Sequence, residues 1–439
     1  MEAAIFDCDG TILDSMPMWA DSCIGLLRNY GVADAERIFY ERESLDMFAK
    51  CAWYHQNLGI GESGEALYRE LWHTVERAYA TEVRPYEGCE RFLRTLKEAG
   101  VPCVIVSSTP PELLKSALRM HGLDGYFEEV VFAGDVGRGK EHPDCYLYAG
   151  RRLGTTREDT WVFEDAPFGV RSAVRAGFPT VAILNDHDGR DPEFLELWAT
   201  VVARSYDELS LDRLATMAPN VVEALVVAGS PESSSPELVA DLAKTSSFVV
   251  AADKGAEVLH AAGVRPDAFC GDEDSVNEQS RDWARTVAAQ TDRHPVEKDD
   301  SDLGLAIALA RAHAEEKGSA LRITVTCASG GRTDHALGVW GVLAKNADVA
   351  PRLVEDKFEA RVLSPAGVDS WQLKDAAGTT VSVLALCAEA RVTERGMRWE
   401  LDGERLGLLD DRGLSNYVVR DDALVRCDKG TIAAFVMRG

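Results

Sequence analysis

Asp7-Cys8-Asp9-Gly10-Thr11 follows directly on the apolar run Ala3-Ala4-Ile5-Phe6. Two carboxylates two residues apart, just past a strand, face one ligand at the strand's carboxyl end. That edge is where open α/β sheets bind ligands. Asp7 is placed to act as a nucleophile on phosphorus. Asp9 is placed to act as general acid to the leaving oxygen and then as base for water. Gly10 allows a tight turn and close backbone approach. Three later segments complete such a site. Ser107 follows a strand ending at Val106 and suits a hydrogen bond to phosphate. Lys140, within Gly139-Lys140-Glu141-His142, suits neutralising it. Glu164-Asp165 follows Trp161-Val162-Phe163 and suits a metal site. A divalent cation is expected to hold these carboxylates and a phosphate together.

A second set lies downstream. Gly271-Asp272-Glu273-Asp274-Ser275 follows the apolar Ala268-Phe269-Cys270 and again alternates carboxylates past a strand. Lys298, Asp299 and Asp302 add charge, and so many acids around one site repel each other without cations. Asp253-Lys254-Gly255-Ala256 offers a loop running into a helix N-terminus for nucleotide contact. In Gly330-Gly331-Arg332-Thr333-Asp334-His335 the glycines admit close backbone approach, and Arg332 can bridge phosphate oxygens in a bidentate fork. The first set reads as removing a phosphate, the second as adding phosphates from a nucleotide.

The elements that must position these residues follow from periodicity. Residues 16–83 carry helical spacing, as in Leu67-Leu71-Val75-Ala78, and read as an all-helical insertion. Beyond Arg84-Pro85, helices and strands alternate to about residue 184, which argues a doubly wound parallel sheet. A linker is expected near Met217-Ala218-Pro219-Asn220. A second alternating block follows, with strands at 224–227, 248–251 and 322–326 and helices at 236–243 and 302–316. After about 355 strand-like runs dominate: 360–363, 379–386, Met397–Leu401, Tyr417–Arg420 and 431–436. Asp402-Gly403 reads as a hairpin turn.

The chain has 439 residues, too many for one ordinary domain, and 46% apolar content supplies real cores. A net charge of −26 argues against a nucleic-acid surface. None of the ten cysteines forms a C-x-x-C pair. Neither a zinc ribbon nor a redox dithiol is indicated, and buried reduced thiols in a cytoplasmic protein are expected. No apolar stretch approaches a membrane span, and the opening strand leaves no room for a signal peptide.

The first four elements, in their order, resemble the haloacid dehalogenase superfamily of phosphohydrolases, closest to its β-phosphoglucomutase-like subgroup. The resemblance covers residues 1–212, with the helical cap at about 16–83. It implies a Rossmann-like core and an aspartyl-phosphate at Asp7. Mg²⁺ would be held by Asp7, by the backbone carbonyl of Asp9 and by Asp165. Mutases of the subgroup carry a His five residues after the last Asp of the first motif. Here Trp19 stands there, which favours hydrolysis; it serves cap packing or stacks on a flat substrate ring.

The second set, followed by Gly413-Leu414-Ser415-Asn416, resembles thiamine pyrophosphokinase. That resemblance implies an ATP-binding α/β domain at 220–355, a thiamine-binding β-sandwich at 356–439 and a homodimer. It assigns Asp272, Asp274, Asp299 and Asp302 to metal and phosphate, and Arg332 and Asp334 to the Gly-Gly-Arg-x-Asp loop. Ser415, Asn416 and Trp399 are assigned to thiamine. Glu273 stands where an aromatic is commoner. The two halves together suggest hydrolysis of thiamine monophosphate followed by pyrophosphoryl transfer to thiamine. The alternatives are a general sugar-phosphate or small-ester phosphatase, or a non-catalytic dimerisation module, in the first half.

Overall fold

The computed structural model describes residues 1–42, 44–184, 191–272, 275–295 and 299–438. The chain divides into two compact units, Met1–Asn220 and Val221–Gly439.

The first unit is built on a six-stranded parallel sheet. Its order is Glu129–Phe132, Cys103–Ser107, Ala3–Phe6, Thr160–Glu164, Thr180–Ile183 and Val201–Ala203. Ala3–Phe6 is central and wholly buried, as expected of a run apolar on both faces. Its neighbours end at Ser107 and Glu164, so the three motif segments emerge side by side at one edge. The chain leaves and re-enters this core through a short antiparallel pair, Leu13–Asp14 with Arg84–Pro85. Between them lie four cap helices, Met16–Asn29, Ala35–Glu41, Met47–Leu58 and Gly64–Thr81. In the last of these, Leu67, Leu71, Val75 and Tyr79 recur every four residues and are all buried. This is the apolar stripe an amphipathic helix turns inward. Each such side chain contributes about 1.5–3 kcal/mol by leaving water.

The second unit contains a ten-stranded sheet. Six strands are parallel: Gln290–Arg293, Ala268–Gly271, Phe248–Ala252, Val221–Val227, Ala320–Thr326 and Arg352–Glu355. Four more continue antiparallel: Phe358–Leu363, Ile432–Met437, Thr380–Ala385 and Asn416–Tyr417. The helix Asp302–Glu316 covers the parallel part, burying Leu303, Ala306, Ile307 and Ala310. A separate four-stranded sheet, Ser370–Leu373, Ala423–Lys429, Glu389–Arg395 and Leu401–Gly407, packs on the antiparallel strands. Val381, Val383 and Ala434 of one sheet share a core with Trp371, Val392, Leu406 and Val425 of the other.

Three expectations for this region need correction. Met397 makes only an isolated bridge to Val418, residues 398–400 are a connecting loop, and Asp402-Gly403 lies within the Leu401–Gly407 strand. The turn falls instead at Gly396, with φ +70°, where a Cβ would come within 2.8 Å of the Ala423 backbone. Gly403, with φ +64°, accompanies a slip of register opposite Val392 and Glu394, the signature of a bulge. The strand expected at Tyr417–Arg420 is only Asn416–Tyr417. Among the described residues no disulfide joins the ten cysteines, and no helix is long and apolar enough to cross a membrane.

Candidate active sites

In the first unit, Asp7 sits one residue past its strand, its N–H bonded to Phe163 O at 2.8 Å. Lys140 is buried, and its Nζ donates to Asp7 Oδ1 and, at 2.5 Å, to Glu164 Oε1. Burial works against the charge on Lys140, but Asp7 and Glu164 outweigh it and hold the ammonium above its ordinary range. Asp7 is pushed well above the carboxylate range by burial; Lys140 opposes this, while Glu164, Asp165 and Asp9 add to it. Glu164 also accepts from Tyr146 Oη at 2.7 Å and from the N–H groups of Asp165 and Ala166 at 3.2 and 3.1 Å. Four donors fill its lone pairs, so its carboxylate orients Lys140 and the Asp165 loop. Thr11 Oγ1 donates to Asp165 Oδ1 at 3.3 Å. A Cβ on Gly10, whose φ is +87°, would lie 2.1 Å from Asp165 Oδ2, so only glycine fits there. Ser107 is buried, and its Oγ accepts from Thr109 N at 3.0 Å.

A cation fits this constellation. Carboxylate oxygens of Asp7, Glu164 and Asp165 lie within 4.8 Å of one another, and Asp7 Oδ2 is buried without a hydrogen-bond partner. The oxygens of Asp7 and Asp165, one of them orphaned and buried, are what a hard divalent ion satisfies, whereas Glu164, expected as a metal ligand, already has its lone pairs filled by four donors.

Asp9 is held by groups that sequence reasoning missed. Its Oδ1 accepts from Ser15 Oγ at 2.6 Å and from Tyr79 Oη, while Oδ2 is buried and unpartnered. Tyr79 Oη in turn accepts from Trp19 Nε1 at 2.8 Å, the two rings meeting edge to face. Trp19 thus packs into the cap while still lining the pocket. Phe39, Met47 and Lys50 line it too. Lys50 is buried, with Nζ 5.6 Å from the Phe39 ring and 6.0 Å from the Trp19 ring. Among the described residues its ammonium has no hydrogen-bond or carboxylate partner. The stripe Leu67-Leu71-Val75, read in the sequence as continuing to Ala78, also runs on to the buried Tyr79, four residues past Val75. Nothing local signalled a hydroxyl partner 70 residues away.

In the second unit, carboxylate oxygens of Asp253, Asp272 and Asp302 lie within 4.8 Å of one another. They come from the ends of two parallel strands and from the first turn of the covering helix. Asp253 has φ +45° and accepts from Ser275 Oγ through Oδ2, while its Oδ1 is buried and unpartnered. Burial raises its pKa, Ser275 opposes this, and Asp302 and Asp272 add to the rise. This trio, too, fits a hard cation. Glu273, Asp274 and Lys298 lie outside the described residues. Asp299 is exposed and is not part of the trio. Gly255 serves packing: a Cβ there would fall 1.9 Å from Val227 O.

Arg332 was expected to present its fork to phosphate. In the structure Asp334 fills that fork, with Nε–Oδ1 at 3.1 Å and Nη2–Oδ2 at 2.6 Å. Both side chains are exposed, so a phosphate can compete for the guanidinium. The loop's anchor is Glu355, another residue missed. Buried at a strand end, it accepts from the N–H groups of Cys327, Ala328 and Ser329 at 3.1, 3.0 and 3.1 Å, and from Ser234 Oγ.

Asn416 also differs from expectation. Its Oδ1 accepts from Trp399 N and Tyr417 N, and its Nδ2 donates to Trp399 O at 2.7 Å and Glu394 Oε2 at 3.3 Å. With its amide occupied, it fixes the loop that leaves Trp399 59% exposed. Ser415, at φ +57°, is exposed beside it. Beneath them Glu394 is buried, Oε1 has no partner, and burial pushes its carboxyl up to about 7, with Asn416 opposing.

Comparison with known proteins follows the same division. Residues 1–177 match the haloacid dehalogenase-like hydrolases, 239–354 the thiamin pyrophosphokinase catalytic domain and 371–432 the thiamin pyrophosphokinase vitamin B1 binding domain. Validoxylamine A 7'-phosphate phosphatase of Streptomyces hygroscopicus is 30% identical over 43% of this chain and 87% of its own length. Hexitol phosphatase A of Escherichia coli is 30% identical over 41% and 81%. Thiamine pyrophosphokinase from Bacillus subtilis is a structural neighbour at 24% identity and TM-score 0.41, covering 49% of this chain and 98% of that one. The chain belongs to the haloacid dehalogenase-like hydrolases through its first half and carries, fused to it, the catalytic and vitamin B1 binding domains of a thiamin pyrophosphokinase.

Proposed function

We propose that the first unit hydrolyses thiamine monophosphate and that the second converts the released thiamine to thiamine diphosphate at the expense of ATP. The observation that carries this reading is the gathering of Asp7, Lys140 and Asp165 at one pocket, on a chain that also bears a vitamin B1 binding domain. Lys140 screens the incoming phosphate, and Asp7 attacks phosphorus as the ester P–O bond breaks. Asp9 Oδ2, the oxygen left without a partner, carries the proton to the leaving alkoxide. Water then attacks the aspartyl-phosphate, Asp9 takes its proton, and inorganic phosphate leaves. Asp7 and Asp165 would hold Mg²⁺, which would supply the positive charge that offsets repulsion between nucleophile and phosphate.

In the second unit Asp253, Asp272 and Asp302 would hold a cation that neutralises ATP, and Arg332 exchanges Asp334 for phosphate oxygen. The thiamine hydroxyl attacks the β-phosphorus and AMP leaves. Catalysis there is mainly positioning and charge stabilisation. Trp399 and Ser415 face thiamine, and Asn416 holds the loop. A homodimer through this unit belongs to the same reading, and the exposed Trp399, Leu408, Leu409 and Leu414 support it.

The test is the intact protein with thiamine monophosphate, ATP and Mg²⁺. Inorganic phosphate, AMP and thiamine diphosphate are expected, and added unlabelled thiamine dilutes label from labelled monophosphate. One observation favours a second reading. The unpaired Lys50 ammonium in the pocket suits an anionic or polyhydroxylated leaving group better than a thiazolium cation. Rapid release of phosphate from sugar phosphates, with none from thiamine monophosphate, would establish that reading in place of the first.

A further inference from the structure

A cluster of different chemistry lies one residue before the kinase motif. Ala268–Gly271 and Gln290–Arg293 are parallel neighbours, with Cys270 opposite Asp292. Paired residues in a ladder project to one face, and so does the residue two further on. His294 therefore joins them. Cys270 Sγ, a carboxylate oxygen of Asp292 and a ring nitrogen of His294 all lie within 4.8 Å of one another.

The ring nitrogen is not explained by an ordinary ion pair. His294 Nε2 stands 3.0 Å from Asp292 Oδ2, yet the atom is buried and makes no aligned hydrogen bond among the described residues. Backbone bonds fix the frame on both sides. His294 N–H donates to Gly271 O at 3.0 Å, and Asp253 N–H donates to Cys270 O at 2.8 Å. Two strands, rather than mobile side chains, thus hold a sulfur, a nitrogen and an oxygen at one point.

That donor set differs in kind from the trio Asp253, Asp272 and Asp302. Hard Mg²⁺ takes oxygen ligands, whereas one thiolate, one imidazole and one carboxylate select a borderline-soft ion. Three protein ligands leave a fourth tetrahedral position for water. We propose that Cys270, Asp292 and His294 form a second cation site in this unit, specific for a thiophilic divalent ion such as Zn²⁺. Binding forms the metal–sulfur bond and releases the thiol proton to solvent. Because Cys270 precedes Gly271-Asp272, the ion ties the strand end from which Asp272 projects to the neighbouring strand Gln290–Arg293. It braces that end and adds no group to the transfer reaction.

The test uses the full-length protein, stripped with a chelator and returned to buffer with excess Mg²⁺. Co²⁺ is then added. The expected result is a near-ultraviolet thiolate-to-cobalt band that saturates at one equivalent and is bleached by Zn²⁺. Cys270→Ala should lose the band, while Cys427→Ala, in the other sheet, should keep it. His294→Gln alters a half-buried side chain and leaves the core intact. It should weaken Co²⁺ binding by about tenfold or more and abolish the rise in thermal midpoint that Zn²⁺ gives the unaltered protein. Absence of the thiolate band, its persistence in Cys270→Ala, or unchanged Co²⁺ affinity in folded His294→Gln would overturn the assignment.

Discussion

Replacing Tyr79 by Phe removes one hydroxyl and leaves the ring, and its consequences follow from two contacts. Tyr79 Oη donates to Asp9 Oδ1 and accepts from Trp19 Nε1 at 2.8 Å. A hydrogen bond to a charged group is worth about 1.5–3 kcal/mol. Ser15 Oγ remains on the same oxygen at 2.6 Å, so the loss falls in the lower half of that range. At 1.36 kcal/mol per tenfold, kcat should drop about 13-fold to 45-fold. The loss must depend on the leaving group. An alkyl phosphate needs Asp9 to protonate its departing oxygen, whereas 4-nitrophenyl phosphate releases a stable phenolate. Steady-state phosphate release from the two esters separates the cases: the alkyl ester should slow and the aryl ester should hardly change. Circular dichroism melting accounts for any destabilisation from the Trp19 indole N–H left without its acceptor. Equal losses on both esters would mean that Tyr79 shapes the pocket and does not position Asp9, and the reasoning would fail.

Other expectations are shorter to state. Asp7→Asn should abolish phosphatase turnover and leave AMP formation from ATP and thiamine intact; loss of both in a folded protein would refute independent sites. Asp272→Ala and Asp302→Ala should each lower diphosphate transfer by orders of magnitude while phosphate release persists, measured as AMP and as inorganic phosphate on the same samples. Glu394 titrates at about 7 in the fold, against an ordinary 4.5. Its contribution to stability is therefore complete below pH 4.5 and lost as pH rises through 7. That loss amounts to about 3 kcal/mol. Glu394→Gln should remove this decline, and thermal midpoints between pH 5 and 8 that fall in parallel for both proteins would contradict it.

Much of the chemistry was legible because it is local. Asp7 and Asp9 lie two residues apart after a fully apolar run, and a strand's pleat aims both at one edge. Ser107 and Asp165 follow apolar runs in the same way, so a parallel sheet brings them to that edge whatever the loops do. The Leu67-Leu71-Val75 spacing marked the cap helix and its inward face. In the C-terminal sheets, alternation was a weaker guide. The turn at Gly396 depends on the Ala423 backbone pressed against it, and the bulge at Gly403 depends on the partner strand. Both are contacts that no local pattern encodes.

Tertiary structure alone decided how the site residues are used. Tyr79 reaches Asp9 across 70 positions and Glu355 reaches the Ala328 loop across 27, and such pairings are set by which strands become neighbours. The fold also reassigned groups that the sequence had named. Asp253 joins Asp272 and Asp302, Asp334 occupies the Arg332 fork, and Asn416 turns its amide inward to fix the Trp399 loop. Composition and motif specify which functional groups are present. The hydrogen-bond needs of buried polar atoms, which must be met by whatever the fold brings near, decide what each of them faces.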